Sequence, residues 1–69
     1  AFIGDGAEVM QTVDLTGGNT VTGNVSQGAD IDNDDGNQTV DLTGSDFSGN
    51  GAGPFDADND GGTQTVTGP

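Results

Sequence analysis

The residues with the clearest chemical potential in this 69-residue chain are two runs of alternating carboxylates: Asp30, Asp32 and Asp34, then Asp56, Asp58 and Asp60. Asn33 and Asn59 occupy the same place in each run. Alternating acids in a tight loop bring several oxygens to one point, as a hard cation with six to eight oxygen ligands requires. Three carboxylates that close repel one another without a cation. Calcium is therefore the expected cofactor, with these six Asp residues as its ligands, in competition with a plainer reading as solvated acidic turns. Asp5 and Glu8 are a weaker candidate for a third, truncated loop before the first Gln-Thr-Val.

Asp56-Ala57-Asp58-Asn59-Asp60-Gly61 matches the D-x-D-x-D-G opening of a calcium loop. The remainder of an EF-hand is missing. Its closing Glu would fall on Thr67 in this copy and on Asp41 in the other, where Asp35 also stands in place of the Gly. The runs resemble instead the Asp-rich calcium loops of extracellular repeat proteins, such as thrombospondin type 3 or bacterial surface repeats, over about seven residues per copy. With few enforced ligands, the expected binding is weak, roughly 10⁻⁴–10⁻³ M, as in extracellular modules.

The acidic runs belong to a larger repeat. Gln11-Thr12-Val13-Asp14-Leu15-Thr16-Gly17 recurs unchanged as Gln38-Thr39-Val40-Asp41-Leu42-Thr43-Gly44, 27 residues later. Asp30 to Val40 matches Asp56 to Val66 at eight of eleven positions with an offset of 26. Spacing of this kind is the signature of stacked repeat architectures. The copies are read as approximately 11–37 and 38–63, with a partial copy at 64–69, all within one domain.

The elements that must position the acids are strands. Val9, Gln11, Val13 and Leu15 alternate with Met10, Thr12, Asp14 and Thr16, and the second copy repeats the pattern. Four strands are expected, near residues 8–16, 19–26, 38–43 and 63–67. Ser45 to Phe55 reads as a loop whose Phe47 and Phe55 fold back as an apolar plug. No segment has a helical pattern. The fold class is all-β: short strands from tandem repeats of 26–27 residues, β-solenoid-like or a small β-sandwich completed by neighbouring subunits.

Gln11, Gln38 and Gln64 fall on the apolar face of these strands. Either they hydrogen-bond to one another along a stack or they reach solvent at a strand start. The first arrangement resembles, in style, the Gln/Asn-bearing repeats of curli-type matrix fibres. Asn24-Val25-Ser26 and Asn37-Gln38-Thr39 are candidate N-glycan acceptors at Asn24 and Asn37. The nine threonines are candidate O-glycan sites or simply good strand formers.

Composition narrows the function. The formal net charge is −12 with no Lys or Arg, which removes ordinary phosphate contacts and disfavours nucleic acid and anionic membranes as partners. Cys and His are absent, as is Tyr, so acid–base and nucleophilic roles would fall to carboxylates and hydroxyls in a chain too small to form a substrate cleft easily. No apolar run could span a bilayer. The opening Ala1-Phe2-Ile3-Gly4 has no basic segment, the pattern of a mature or processed chain. Leu, Ile, Val and Phe supply only 13 residues, a composition typical of disorder unless cations, glycans or neighbouring copies add stability.

The expectation is a non-enzymatic structural subunit of an extracellular or cell-surface filament, sheath or layer, polymerising through strand pairing with calcium support. The alternatives are a calcium-dependent adhesion or particle-decoration module, and a disordered acidic segment.

Overall fold

A computed structural model describes residues 1–6 and 10–69. The fold is all-β, with six strands and no helix among the described residues: β1 (Phe2–Asp5), β2 (Met10–Asp14), β3 (Ala29–Asn33), β4 (Asn37–Asp41), β5 (Phe55–Asn59) and β6 (Thr63–Thr67). They form two three-stranded parallel sheets, ordered β1-β3-β5 and β2-β4-β6. The chain alternates between the sheets, so each pass contributes one strand to both. Passes are in register: Gln11 lies beside Gln38 and Gln38 beside Gln64, while Asp30 lies beside Asp56 and Asp32 beside Asp58.

Strands at Gln-Thr-Val agree with the alternation in the sequence. Residues 8 and 9 of the first expected strand lie outside the described residues. Two expectations need correction. First, the acidic runs are mostly strand rather than loop: Asp30 and Asp32 lie on β3, and Asp56 and Asp58 on β5. The same alternation that suggested a converging loop places Ala29, Ile31 and Asn33 inward, all buried. Second, residues 19–26 are not a strand; only Thr20 forms a bridge, to Asp46. Positive φ at Gly17, Gly18 and Gly23 breaks up extended pairing there.

This irregular segment is nevertheless stacked on the next pass. Val21 N–H donates to Asp46 O, Gly23 to Gly49 O, Gly51 to Asn24 O and Ala52 to Ser26 O, at 2.8–3.3 Å. Gly51 shows how tight the stacking is, because a Cβ there would stand 2.2 Å from Val25 O. Gly62 is equally constrained, with Gly36 O 2.1 Å from the position of a Cβ.

The core is a thin layer of Ile3, Ala29, Ile31, Val40, Leu42 and Phe47, flanked by half-buried Val13, Leu15, Val21, Phe55 and Val66. Phe47 is the expected plug. Phe55 instead begins β5 and packs from the edge. Burial is greatest in the central pass and falls at both ends.

The glutamines form a ladder through this core. Gln38 Nε2 donates to Gln11 Oε1 at 2.7 Å, and Gln64 Nε2 donates to Gln38 Oε1 at 2.9 Å. Each amide also crosses between the sheets, donating to the carbonyl of Gly4, Asp32 or Asp58. Amides succeed here because each offers both donors and an acceptor. Gln38 is fully buried, so Gln38→Leu keeps volume but strands Asp32 O and two neighbouring amides. Urea unfolding is expected to show a loss of roughly 2–4 kcal/mol.

A second column contains one mismatch. Asp5, Asn33 and Asn59 are neighbours in register, and Asn33 Nδ2 donates to Asn59 Oδ1 at 2.9 Å. Asp5 Oδ2 and Asn33 Oδ1 are buried without a hydrogen-bond partner among the described residues. The Asp5 side chain has no amide N–H to offer the Asn33 oxygen. Asp5→Asn supplies that donor and is expected to stabilise the fold by about 1 kcal/mol in the same measurement.

Candidate metal centre

The outer face of the β1-β3-β5 sheet is shaped by strand alternation and register together. With Ile31 and Asn33 inward, Asp30 and Asp32 must point outward, and β5 sets Asp56 and Asp58 beside them. β1 contributes Phe2 and Gly4 to the same columns. The result is a two-by-two array of carboxylates bordered on one side by uncharged residues.

Asp30, Asp32 and Asp58 can each direct one carboxylate oxygen so that the three lie within 4.8 Å of one another. Asp30 and Asp32 are half-buried, whereas Asp58 is exposed. The other three acids named from the sequence lie outside this group. Asp56 is beside Asp30 on β5, and Asp34 and Asp60 stand in the turns that follow β3 and β5. Carboxylate oxygens therefore converge across two strands rather than within one loop. The sequence could reveal this only once the offset of 26 was taken as a strand register.

A shallow groove lined by Gly4, Asp32, Asp34, Asp58 and Asp60 runs beside the cluster. Three carboxylate oxygens would satisfy half or less of the coordination that calcium takes, leaving water for the rest. Such a site is suited to a weakly held hard cation. It offers no nitrogen or sulfur ligand for a softer metal, since the chain has neither His nor Cys.

The electrostatics differ sharply between the acids. Partial burial raises the Asp32 pKa above its ordinary value, and repulsion from Asp30, Asp58 and Asp56 adds to the shift. Asp41 and Asp46 are shifted down, because each carboxylate accepts hydrogen bonds from the side chain and backbone N–H two residues on, at Thr43 and Ser48. Asp41 secures the turn that follows β4, and Asp46 the chain just after its bridge to Thr20. They have no part in the cluster.

The candidate glycan acceptors are both exposed. Asn24 Nδ2 donates to Asn50 Oδ1 at 2.9 Å in a third ladder, while Asn37 starts β4. No protein-family model matches this chain, and no curated protein or solved structure matches it either. Any functional reading therefore rests on its own geometry.

The pKa directions fix the signs of the pH response. With its pKa raised, Asp32 binds a proton in the folded chain before it does so unfolded, so its contribution to stability rises as pH falls from neutrality towards the carboxylate range. Asp41 and Asp46 contribute stability above the ordinary value of 3.8, and it is lost as pH falls through their lowered folded values. In chelator at neutral pH, Asp32→Asn is expected to raise the melting temperature by a few degrees. If the cluster holds calcium, the same substitution abolishes any rise on adding millimolar calcium, read by circular dichroism. An unchanged calcium response in the variant would assign the effect to other acids.

Proposed function

We propose that this chain is a structural subunit of an extracellular filament, sheath or surface layer, forming a section of a β-solenoid and assembling with further copies by strand pairing. The observation that carries the reading is the pair of parallel sheets stacked in register, with strands β1 and β2 at one edge and β5 and β6 at the other each paired on one side only among the described residues. Open edges offer unpaired backbone groups that a neighbouring strand can satisfy. The half-buried end passes, including Val13, Phe55 and Val66, offer apolar surface to the same neighbour.

Calcium is the proposed ligand of the Asp30, Asp32 and Asp58 cluster, where it offsets repulsion that grows with every pass added to the stack. A non-catalytic role agrees with the composition, and an extracellular setting with the lack of any Lys or Arg for trypsin-like cleavage. Asn24 and Asn37 remain candidate carriers of glycans. The Asp cluster also favours a second reading, a calcium-dependent adhesion or particle-decoration module, in which the metal stiffens a monomer.

Sedimentation and negative-stain microscopy across a dilution series, with calcium or chelator, separate the two. A polymerising subunit is expected to pellet as elongated particles with calcium and to lose β structure on dilution into chelator. A chain that stays monomeric with stable β structure in chelator overturns the assembly reading.

A further inference from the structure

The two ends of the stack are chemically different, and the differences are complementary. We infer that copies associate head to tail: β5 and β6 of one copy pair in parallel with β1 and β2 of the next, continuing the internal register. The inference rests on the assembly reading above and specifies its polarity and contacts.

Three observations carry it. The first is the direction of the glutamine ladder. Each amide donates from Nε2 to Oε1 of the pass before it, from Gln64 to Gln38 and from Gln38 to Gln11. Continued across a junction, the next donor is Gln11 Nε2 of a second copy, and it meets Gln64 Oε1. Two N-terminal ends or two C-terminal ends brought together break the direction of the ladder.

The second is charge. Extending the register sets Asp56 beside Phe2, Asp58 beside Gly4 and Thr67 beside Asp14 of the next copy, because Phe2, Gly4 and Asp14 already hold those columns at the opposite end. No column at this junction then places carboxylate against carboxylate on the outer faces of the paired strands. Bringing β5 against another β5 sets Asp56 and Asp58 against the same acids, and like charges directly opposite are destabilising. In a chain of net charge −12, that difference selects polarity.

The third is apolar fit. Val66 falls beside Val13 and Ala57 beside Ile3 of the next copy, in the columns that Val40 and Ile31 fill in the central pass. Val40 and Ile31 are completely buried, whereas Val13 and Val66 are only partly so. A second copy gives an end pass the neighbour that the central pass already has.

The test uses engineered cysteines in a chain that contains none. Thr12 and Thr65 are exposed and share one column, so in a head-to-tail pair Thr65 of one copy lies beside Thr12 of the next, within reach of a disulfide. Thr12→Cys carrying an affinity tag is mixed with untagged Thr65→Cys in calcium and oxidised, with light scattering recorded beforehand. The mixed disulfide is expected in clear excess over random pairing. Random pairing, an excess of either symmetric disulfide, or no disulfide despite normal scattering overturns the head-to-tail geometry and leaves assembly standing. Absence of scattering in the variants and in the unaltered chain overturns both.

Discussion

Every regular position in this molecule is constrained by having its own counterpart from the next pass as a neighbour. Parallel strands in register put residue beside equivalent residue about 4.8 Å apart, so a side chain must tolerate its own kind. Amides meet that demand best. The ladder through Gln11, Gln38 and Gln64 is a chain of mutual donors and acceptors that also ties the two sheets through the carbonyls of Gly4, Asp32 and Asp58. Valine and leucine meet the demand by packing, and fill the columns containing Val40 and Leu42. Carboxylates do not meet it, and apart from the buried Asp5 the strand acids are placed on the outer face.

That constraint explains how so few apolar residues form an ordered core. The buried apolar set among the described residues is six, and the Gln ladder fills buried and half-buried positions among them. The polar columns are compatible with burial because each member is satisfied by the next, which unpaired amides in an apolar interior would not be. Where a column changes chemistry, satisfaction fails locally. Asp5 above Asn33 leaves two buried oxygens without donors among the described residues. The same dependence on neighbours makes the central pass dry and the terminal passes partly wet.

The acids divide by mechanical role. Asp41 and Asp46 turn their charge on the local backbone, accepting hydrogen bonds from the residue two positions on, at the end of β4 and just after the bridge to Thr20 respectively. Asp30, Asp32 and Asp58 instead accumulate charge along the stack, and the Asp32 pKa is raised first by its partial burial and then by repulsion from the neighbouring acids. Repetition strengthens a ladder of amides and weakens a ladder of carboxylates. A counter-ion or an interruption such as Phe2 and Gly4 is the available relief.

The sequence by itself determined the β character, the repeat offsets of 26 and 27, the Gln-Thr-Val strands and the face that the glutamines share with the valines. Those features are local or periodic, and strand alternation exposes them directly. Tertiary structure decided which acids meet. Asp-rich segments have poor strand propensity, so β3 and β5 read as loops until pairing with adjacent passes supplied hydrogen bonds that local preference could not. Residues 19–26 look β-branched enough for a strand, yet glycine conformations turn them into an irregular, stacked segment. The carboxylate cluster draws two acids from one pass and one from another. Its membership depends on register between strands 26 residues apart, and no single loop contains it.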